Sequence, residues 1–443
     1  MAPDDGNELR ASEHLGAQSD PHPAGRRHPL ASRDFRLLLC GRSVSLLGDG
    51  AFLVALAWQA YTLSNTPTAL SILGIAMTIP LLALLLFGGV VSDRYDRRTV
   101  MLLADAVRAV LLLLLGILAL LGVLRLWQMI ALIAVYGAAQ AFFDPASDAI
   151  LPELLPASQL EAANALEQVV RPLMLRLAGP ALGGLLVGVF GAGAAFLADG
   201  GTFVLSALTL FSIAPRAVAA IASEQVLIPT STTRELKEGW AYVRRHIWLW
   251  GTFASAGVAY LLFMGPAEVL LPFVVKHELG GSGVQLGLVL GAGGLGSVAC
   301  AVVMARSGLP TRRIGFIYLV WTLATLAVAG YGLATAMWQL MLASLAFNLL
   351  ETAGTIVWAT MKQHLVPGAL LGRVSSLDWL ISIGLLPVSF ALTAPVSALM
   401  GVRSTLIAAG LAGAAATLGG LSLPGMLATD ESTPATVGAG ARA

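Results

Sequence analysis

Charge is scarce in this 443-residue chain: Asp, Glu, Lys and Arg make up 12% of it, against about 25% in an ordinary soluble domain. The charges also nearly cancel, with 26 basic residues against 25 acidic ones. No basic excess is left to grip a phosphate backbone, which excludes nucleic acid as the main partner. Cysteine is almost missing. Cys40 and Cys300 lie far apart inside apolar runs, a placement that suits reduced thiols and excludes a disulfide framework. His277 and His364 stand alone at the edges of apolar runs, and no His cluster has metal-ligand spacing, so no metal is expected. Signatures such as HExxH, a P-loop or GxSxG do not occur, and the chain is not expected to be an enzyme. What is abundant is apolar residues, at 57%, with 48 Gly and a mean hydropathy of +0.81. A chain of this kind reads as a polytopic membrane protein, with the lipid bilayer as its solvent.

Apolar runs of about 20 residues, each enough to cross a hydrocarbon core of about 30 Å, start near Leu37, Ala69, Thr99, Trp127, Ala162, Ala194, Ile247, Val284, Ile314, Met337, Val374 and Val402. Residues 1–32 and 425–443 are polar and aperiodic and read as disordered cytoplasmic tails. Residues 33–214 then form a first bundle of six helices, 215–246 a polar cytoplasmic linker, and 247–424 a second bundle of six. With the N-terminus inside, 19 of the 26 Lys and Arg residues fall in cytoplasmic segments, Arg42, Arg108, Arg171 and Arg176 sit within spans, and only Arg125, Lys276 and Arg403 fall outside. That bias orients the chain, with both termini cytoplasmic. The fold class expected is therefore an all-α integral membrane protein of twelve transmembrane helices.

The halves look like a duplication. Leu73-Gly74 precedes Arg97-Arg98 much as Leu286-Gly287 precedes Arg312-Arg313, and Leu155-Pro156 is echoed by Val366-Pro367. Parallel repeats of this kind place a cavity between them near the midplane. In the linker, residues 233–245 read as an amphipathic helix with Leu236, Trp240 and Val243 on one face and Arg234, Lys237, Arg244 and Arg245 available to anionic headgroups.

Between the second and third spans runs Gly89-Val90-Val91-Ser92-Asp93-Arg94-Tyr95-Asp96-Arg97-Arg98. It resembles the GxxxDRxGRR signature of the major facilitator superfamily, with Asp96 where the signature has Gly. The resemblance implies a conformational latch of Gly89, Asp93, Arg94, Arg97 and Arg98, with Gly89 allowing close helix approach. Asp105 and Arg108, one turn apart near that end of the third span, are expected to pair with this loop. In the fifth span Arg176 precedes Gly179-Pro180-Ala181-Leu182-Gly183-Gly184, which resembles the GPxxGG core of the superfamily's exporters; the bland reading is small residues for packing plus a Pro kink. Residues 141–156, with Ala163-Asn164-Ala165-Leu166, Glu238 to Arg245 and Gly372-Arg373-Val374, resemble the branch of the enterobactin exporter, macrolide efflux proteins and Tap-type multidrug pumps. The match Gly291-Ala292-Gly293-Gly294-Leu295-Gly296 to a dinucleotide fingerprint lies inside a span, without a βαβ unit, and is read as close helix packing.

A charge at mid-bilayer costs about 2.5–3.5 kcal/mol on insertion scales, so each one asks for a partner or a function. Asp49, Glu351 and Glu268 are the candidates for carrying a proton. Asp49 has a static alternative, an ion pair with Arg176 or Arg171. Asp199 and Asp378 are assigned to helix ends or interhelical bonds, and Asp144 and Asp148 to the cytoplasmic interface. Trp58, Gln140, Tyr260, Asn348 and Trp358 are candidate cavity residues by depth and type. The resemblance implies a monomeric secondary exporter of the cell (inner) membrane, moving a small amphipathic drug or siderophore-like product by alternating access in exchange for protons. The proton gradient is its energy source, and no cofactor is needed. Two other readings stay open, a sensor or partner-binding protein on the same scaffold and a uniporter or importer.

Overall fold

The computed structural model describes residues 28–213 and 232–427, and among these the regular secondary structure is helical. Twelve helices are long and apolar enough to cross a membrane, one for each run read from the sequence. The first half comprises α1 (Arg33–Leu63), α2 (Pro67–Arg94), α3 (Arg97–Leu120), α4 (Leu126–Leu154), α5 (Ala157–Arg171), α6 (Gly179–Phe190) and α7 (Ala192–Ser212). A π-helical segment, Pro172–Ala178, joins α5 and α6 into one span. The linker helix is α8 (Thr232–Arg245). The second half comprises α9 (Ile247–Phe273), α10 (Gly283–Ser307), α11 (Arg313–Leu333), α12 (Met337–Leu365), α13 (Gly368–Gly384), α14 (Leu386–Met400) and α15 (Val402–Leu421), with α13 and α14 sharing the eleventh span.

Ends are set by caps and glycines. Ser32 Oγ accepts from the Phe35 amide at the start of α1, and Ser282 with Gln285 forms a capping box on α10. The α6–α7 and α14–α15 turns each pivot on one glycine in the left-handed region, Gly191 at φ 84° and Gly401 at φ 85°. Two domain boundaries shift. Residues 29–31 form a 3₁₀ turn to which the Arg36 guanidinium bonds, and Met426 is fully buried beside Trp248, so ordered structure extends past both ends expected at 33 and 424.

The halves repeat each other in packing as well as in order. In the first half α2 lies on α4, and α7 on α1 and α3; in the second α10 lies on α12, and α15 on α9 and α11. Leu103, Val110 and Ile117, two turns apart on α3, are exposed, as are Trp127 and Trp338 at the starts of α4 and α12. Exposed apolar stripes with aromatic residues at their ends suit a lipid surface and its interface.

We call the side bearing the linker the linker face and the opposite side the distal face. The halves meet toward the distal face, through α6 with α10 and α2 with α14. Cβ atoms added there show how close the backbones come: at Gly184 one would lie 2.6 Å from the Gly287 Cα, and at Gly287 2.5 Å from the Pro180 carbonyl oxygen. At Gly74 it would meet the Phe390 ring at 2.9 Å. Gly74 and Gly287, paired as repeats in the sequence, thus do equivalent work. Tyr61 donates to the Val269 carbonyl at 2.6 Å, and Lys276 donates to the Trp58 carbonyl and the Thr62 hydroxyl at 3.2 and 2.7 Å. Among the described residues α4, α5, α12 and α13 make no extensive contact with the other half toward the linker face, and a cleft separates the halves there.

The linker helix docks on the second half. Val243 is fully buried against α9 and α13, the Tyr242 hydroxyl donates to the Leu365 carbonyl at 3.3 Å, and Trp240 stays exposed. The expected apolar face is therefore split between bundle and solvent; the side chain of Leu236 lies outside the described residues.

Replacing Gly184 by Val is expected to wedge α6 from α10 and loosen the distal contact. In a Cys40→Ser/Cys300→Ser background, a cysteine at the buried Val187 should then react faster with a water-soluble maleimide than without the Gly184→Val change.

Candidate functional site

The first half encloses more acid than base. Asp49, midway along α1, accepts a hydrogen bond from the Tyr136 hydroxyl of α4 at 2.6 Å. Phe52 stacks on that tyrosine at 5.1 Å and fixes its ring. Behind Asp49, α7 places Asp199 at 0% exposure. Gly48 makes the approach possible, because a Cβ there would collide with the Asp199 carboxylate and the Thr202 side chain. One Asp199 oxygen accepts from the Thr202 hydroxyl at 3.1 Å, and the other has no partner among the described residues. On α3, Asp105 pairs with Arg108 and accepts from the Ser206 hydroxyl at 2.7 Å. The Arg108 guanidinium lies between the Phe143 and Phe203 rings, 4.1 and 4.3 Å from their centres. Asp144 feels the same guanidinium. Four carboxyl groups thus lie in the field of the buried Arg108 guanidinium, to which Arg171 adds at Asp49 and Asp144.

This arrangement corrects several expectations. The hydrogen-bond partner of Asp49 is a tyrosine hydroxyl rather than Arg176, which is spent on Glu351, or Arg171, which acts on Asp49 only through space. Asp105 and Arg108 pair with each other in a dry aromatic pocket instead of with the loop before them. Asp199 serves neither a helix end nor an interhelical bond. Asp378 does bridge helices, taking Lys362 and the Trp358 indole of α12.

In the fifth span the wide turn comes from the π segment before the glycines rather than from a kink at Pro180. Lacking an N–H, Pro180 cannot satisfy the Arg176 carbonyl four residues earlier, and that oxygen sits where a Cβ on Gly294 would be. Gly179 and Gly183 fit α6 against α1, with added Cβ atoms 2.6 Å from the Gly50 Cα and 2.5 Å from the Ala51 Cα; Gly184 fits it against α10. Gly293, Gly294 and Gly296 are likewise closed on by neighbouring helices, as their packing reading requires. The Arg176 side chain projects to the other half. Its guanidinium donates to Glu351 on α12 at 3.5 Å and acts electrostatically on Glu268 of α9, which is exposed to the cleft.

Beside Glu351 the second half opens a pocket walled by Tyr260, Phe263, Trp321 and Phe347. Of the five cavity candidates, Tyr260 lines it. Trp58 belongs to the distal seal under Lys276, whose ammonium lies 4.5 Å from its ring centre. Gln140 reaches Asp144 at 3.4 Å, Asn348 caps the Ser344 carbonyl at 3.0 Å, and Trp358 is a core residue at 5% exposure. Phe263, Trp321 and Phe347 escaped notice in the sequence because aromatics in apolar runs look like core. The signal available was spacing: Phe347 and Glu351 share a helix face at i, i+4.

In the loop between α2 and α3, Arg97 pairs with Glu153 and the Ala149 carbonyl, and Arg98 donates to the Leu210 and Phe211 carbonyls at 2.7 and 2.6 Å. Asp96 caps α3 through the Thr99 amide at 3.0 Å, a physical reason for its place in a position the signature gives to Gly. Asp93 and Arg94 are exposed, with no hydrogen bond or ion pair among the described residues. Close approach is made by Gly88, against the Ala141 carbonyl, while a Cβ on Gly89 would meet open space.

Two six-helix halves repeated in parallel around a cleft are the architecture of the major facilitator transporters. A point mutant of the nucleoside transporter NupG superposes with a TM-score of 0.68 over 88% of this chain and 99% of its own, at 11% identity. The chain belongs to the transmembrane secretion effector family of that superfamily, whose family model matches residues 24–436. It is similar to the multidrug efflux pump Tap of Mycobacterium tuberculosis, 26% identical over 90% of this chain and 96% of the pump. Macrolide efflux protein A of Streptococcus pyogenes is 24% identical over 82% of this chain and 95% of that protein. The protein is a multi-pass membrane transporter and not an enzyme.

Removing one member of the Arg108–Asp105 pair leaves the other charge buried, a cost of about 3–5 kcal/mol for such pairs. Arg108→Gln is therefore expected to lower the thermal midpoint in detergent sharply, and the double variant Asp105→Asn/Arg108→Gln to recover part of the loss.

Proposed function

We propose that this transporter exports a small amphipathic compound from the cytoplasm by alternating access, in exchange for protons. The observation that carries the reading is the acid pair Asp49 and Asp199 inside the first half, where Tyr136 holds one carboxyl and an oxygen of the other, which is buried, has no partner among the described residues. Such a pair can take a proton from the distal side in one conformation and release it to the linker side in another. Entry of a proton down the membrane potential contributes about 2.3 kcal/mol per 100 mV. That energy drives export if proton and substrate favour opposite openings.

The linker face is the cytoplasmic one in this reading, supported by the 19 basic residues assigned to it. The cell membrane is then the site of action, and because one chain carries both halves a monomer suffices. Asp93 and the arginines after it would latch the halves when the linker face closes. The names of the relatives, multidrug and macrolide efflux, support a bulky apolar cargo.

Efflux of a fluorescent amphipathic drug from proteoliposomes is expected to accelerate under an imposed pH gradient; indifference to the gradient sinks the coupling. Asp49→Asn is expected to abolish the response to the gradient while leaving drug exchange at equal pH on both sides. Gradient-driven efflux at the unaltered rate in that variant clears Asp49 of the role.

A further inference from the structure

The linker helix carries an aromatic and cationic surface that the transport reading leaves unused. Gly239 and Val243, one turn apart on α8, form its buried side: Val243 packs against α9 and α13, and a Cβ on Gly239 would come within 3.0 Å of the Arg373 Cβ. The other side is bare. Trp240, 46% exposed, and Arg244, one turn further on, share a flank of it next to the exposed Arg245, and neither guanidinium has a hydrogen bond or ion pair among the described residues. Glu238 does not cancel them, because its carboxylate pairs with Arg373 of α13. The chain itself sets the level of this surface. The membrane-spanning helix α9 begins at Ile247, two residues past Arg245, and Trp250 in its first turn is 36% exposed. Indoles and guanidinium groups at the start of a span belong to the headgroup layer.

We propose that the outer face of α8 binds the headgroups of anionic phospholipids in the leaflet at the linker face. Arg244 and Arg245 take the phosphate oxygens, and the Trp240 indole lies where headgroup meets acyl chain. A zwitterionic lipid offers the same phosphate but brings an ammonium that the arginines repel, so net charge decides the preference. A headgroup held there anchors α8 to the membrane surface. Through the Glu238–Arg373 pair and the bond from the Tyr242 hydroxyl to the Leu365 carbonyl, it also anchors α13 and α12, which border the cleft. An acidic soluble protein would suit the charge as well, but two indoles beside the start of a span favour lipid. Binding of this kind is independent of flux and of the export reading.

The test uses the full chain in a Cys40→Ser/Cys300→Ser background with Ala241→Cys, an exposed position on α8, carrying an environment-sensitive fluorophore. The protein is placed in nanodiscs of an equimolar mixture of phosphatidylcholine and phosphatidylglycerol, with bromine quenchers on the acyl chains of one lipid or the other. Brominated phosphatidylglycerol is expected to quench the label more strongly than brominated phosphatidylcholine. Each arginine at an anionic surface supports about a fivefold preference, so Arg244→Gln/Arg245→Gln should bring the two quenching levels together. Salt at about 1 M, which cuts the screening length to about 3 Å, should do the same with both arginines in place. Equal quenching by the two lipids when the arginines are intact overturns the proposal. So does a preference that survives both the double substitution and the salt. Quenching by neither lipid overturns it too, and turns the face toward a soluble acidic partner.

Discussion

A carboxylate inside a bilayer must find a cation or give up its charge, and this protein supplies fewer buried cations than buried acids. In the first half the Arg108 guanidinium acts on Asp49, Asp105, Asp144 and Asp199, and it is held between two phenyl rings and tied to Asp105; Arg171 adds a weaker field at Asp49 and Asp144. Its neighbours are left to share what remains of its field. In the second half Arg176 reaches across the cleft to two glutamates. In the first half Asp105 and Asp199 are thus buried within their own bundle, while in the second Glu351 is paired across to the other half.

The sites depend on backbone spacing that only small residues allow. Gly48 lets Asp199 lie beside Asp49. Gly179, Gly183 and Gly184 seat α6 against α1 on one side and α10 on the other, while Gly294 receives the carbonyl that Pro180 leaves free. In a membrane, where apolar side chains gain nothing by leaving lipid, such close contact is a main source of helix association. The two halves can consequently touch along a narrow distal seam and still stay apart elsewhere. Tyr61 and Lys276 close that seam of glycines, and the Arg176–Glu351 ion pair spans the halves.

Much of this was legible in the chain. Twelve apolar runs, the placement of arginine and lysine, and the polar stretch at its centre specify a duplicated membrane bundle, because hydrophobic length and loop charge are one-dimensional properties that a sequence carries directly. The repeat was more visible than the paired motifs suggested: Trp127-Gln128 and Trp338-Gln339 open equivalent helices, with each glutamine bonding back to an amide before its helix. The scarcity of charge singled out Asp49, Glu268 and Glu351 as groups needing an explanation.

Partnership was not legible. Tyr136 on Asp49, Asp199 behind Gly48, Arg108 between phenyl rings, Arg176 on Glu351 and the aromatic wall of the cavity join residues from different helices, sometimes from different halves. Their pairing depends on helix rotation and approach, which glycine contacts and a π-helical turn set by fractions of a turn. A hydrophobic run determines that a helix crosses the membrane and from which side it starts. Which of its faces meets which neighbour is decided by packing in three dimensions, and in this protein that decision separates a charge paired within its own bundle from one that reaches across to the other half.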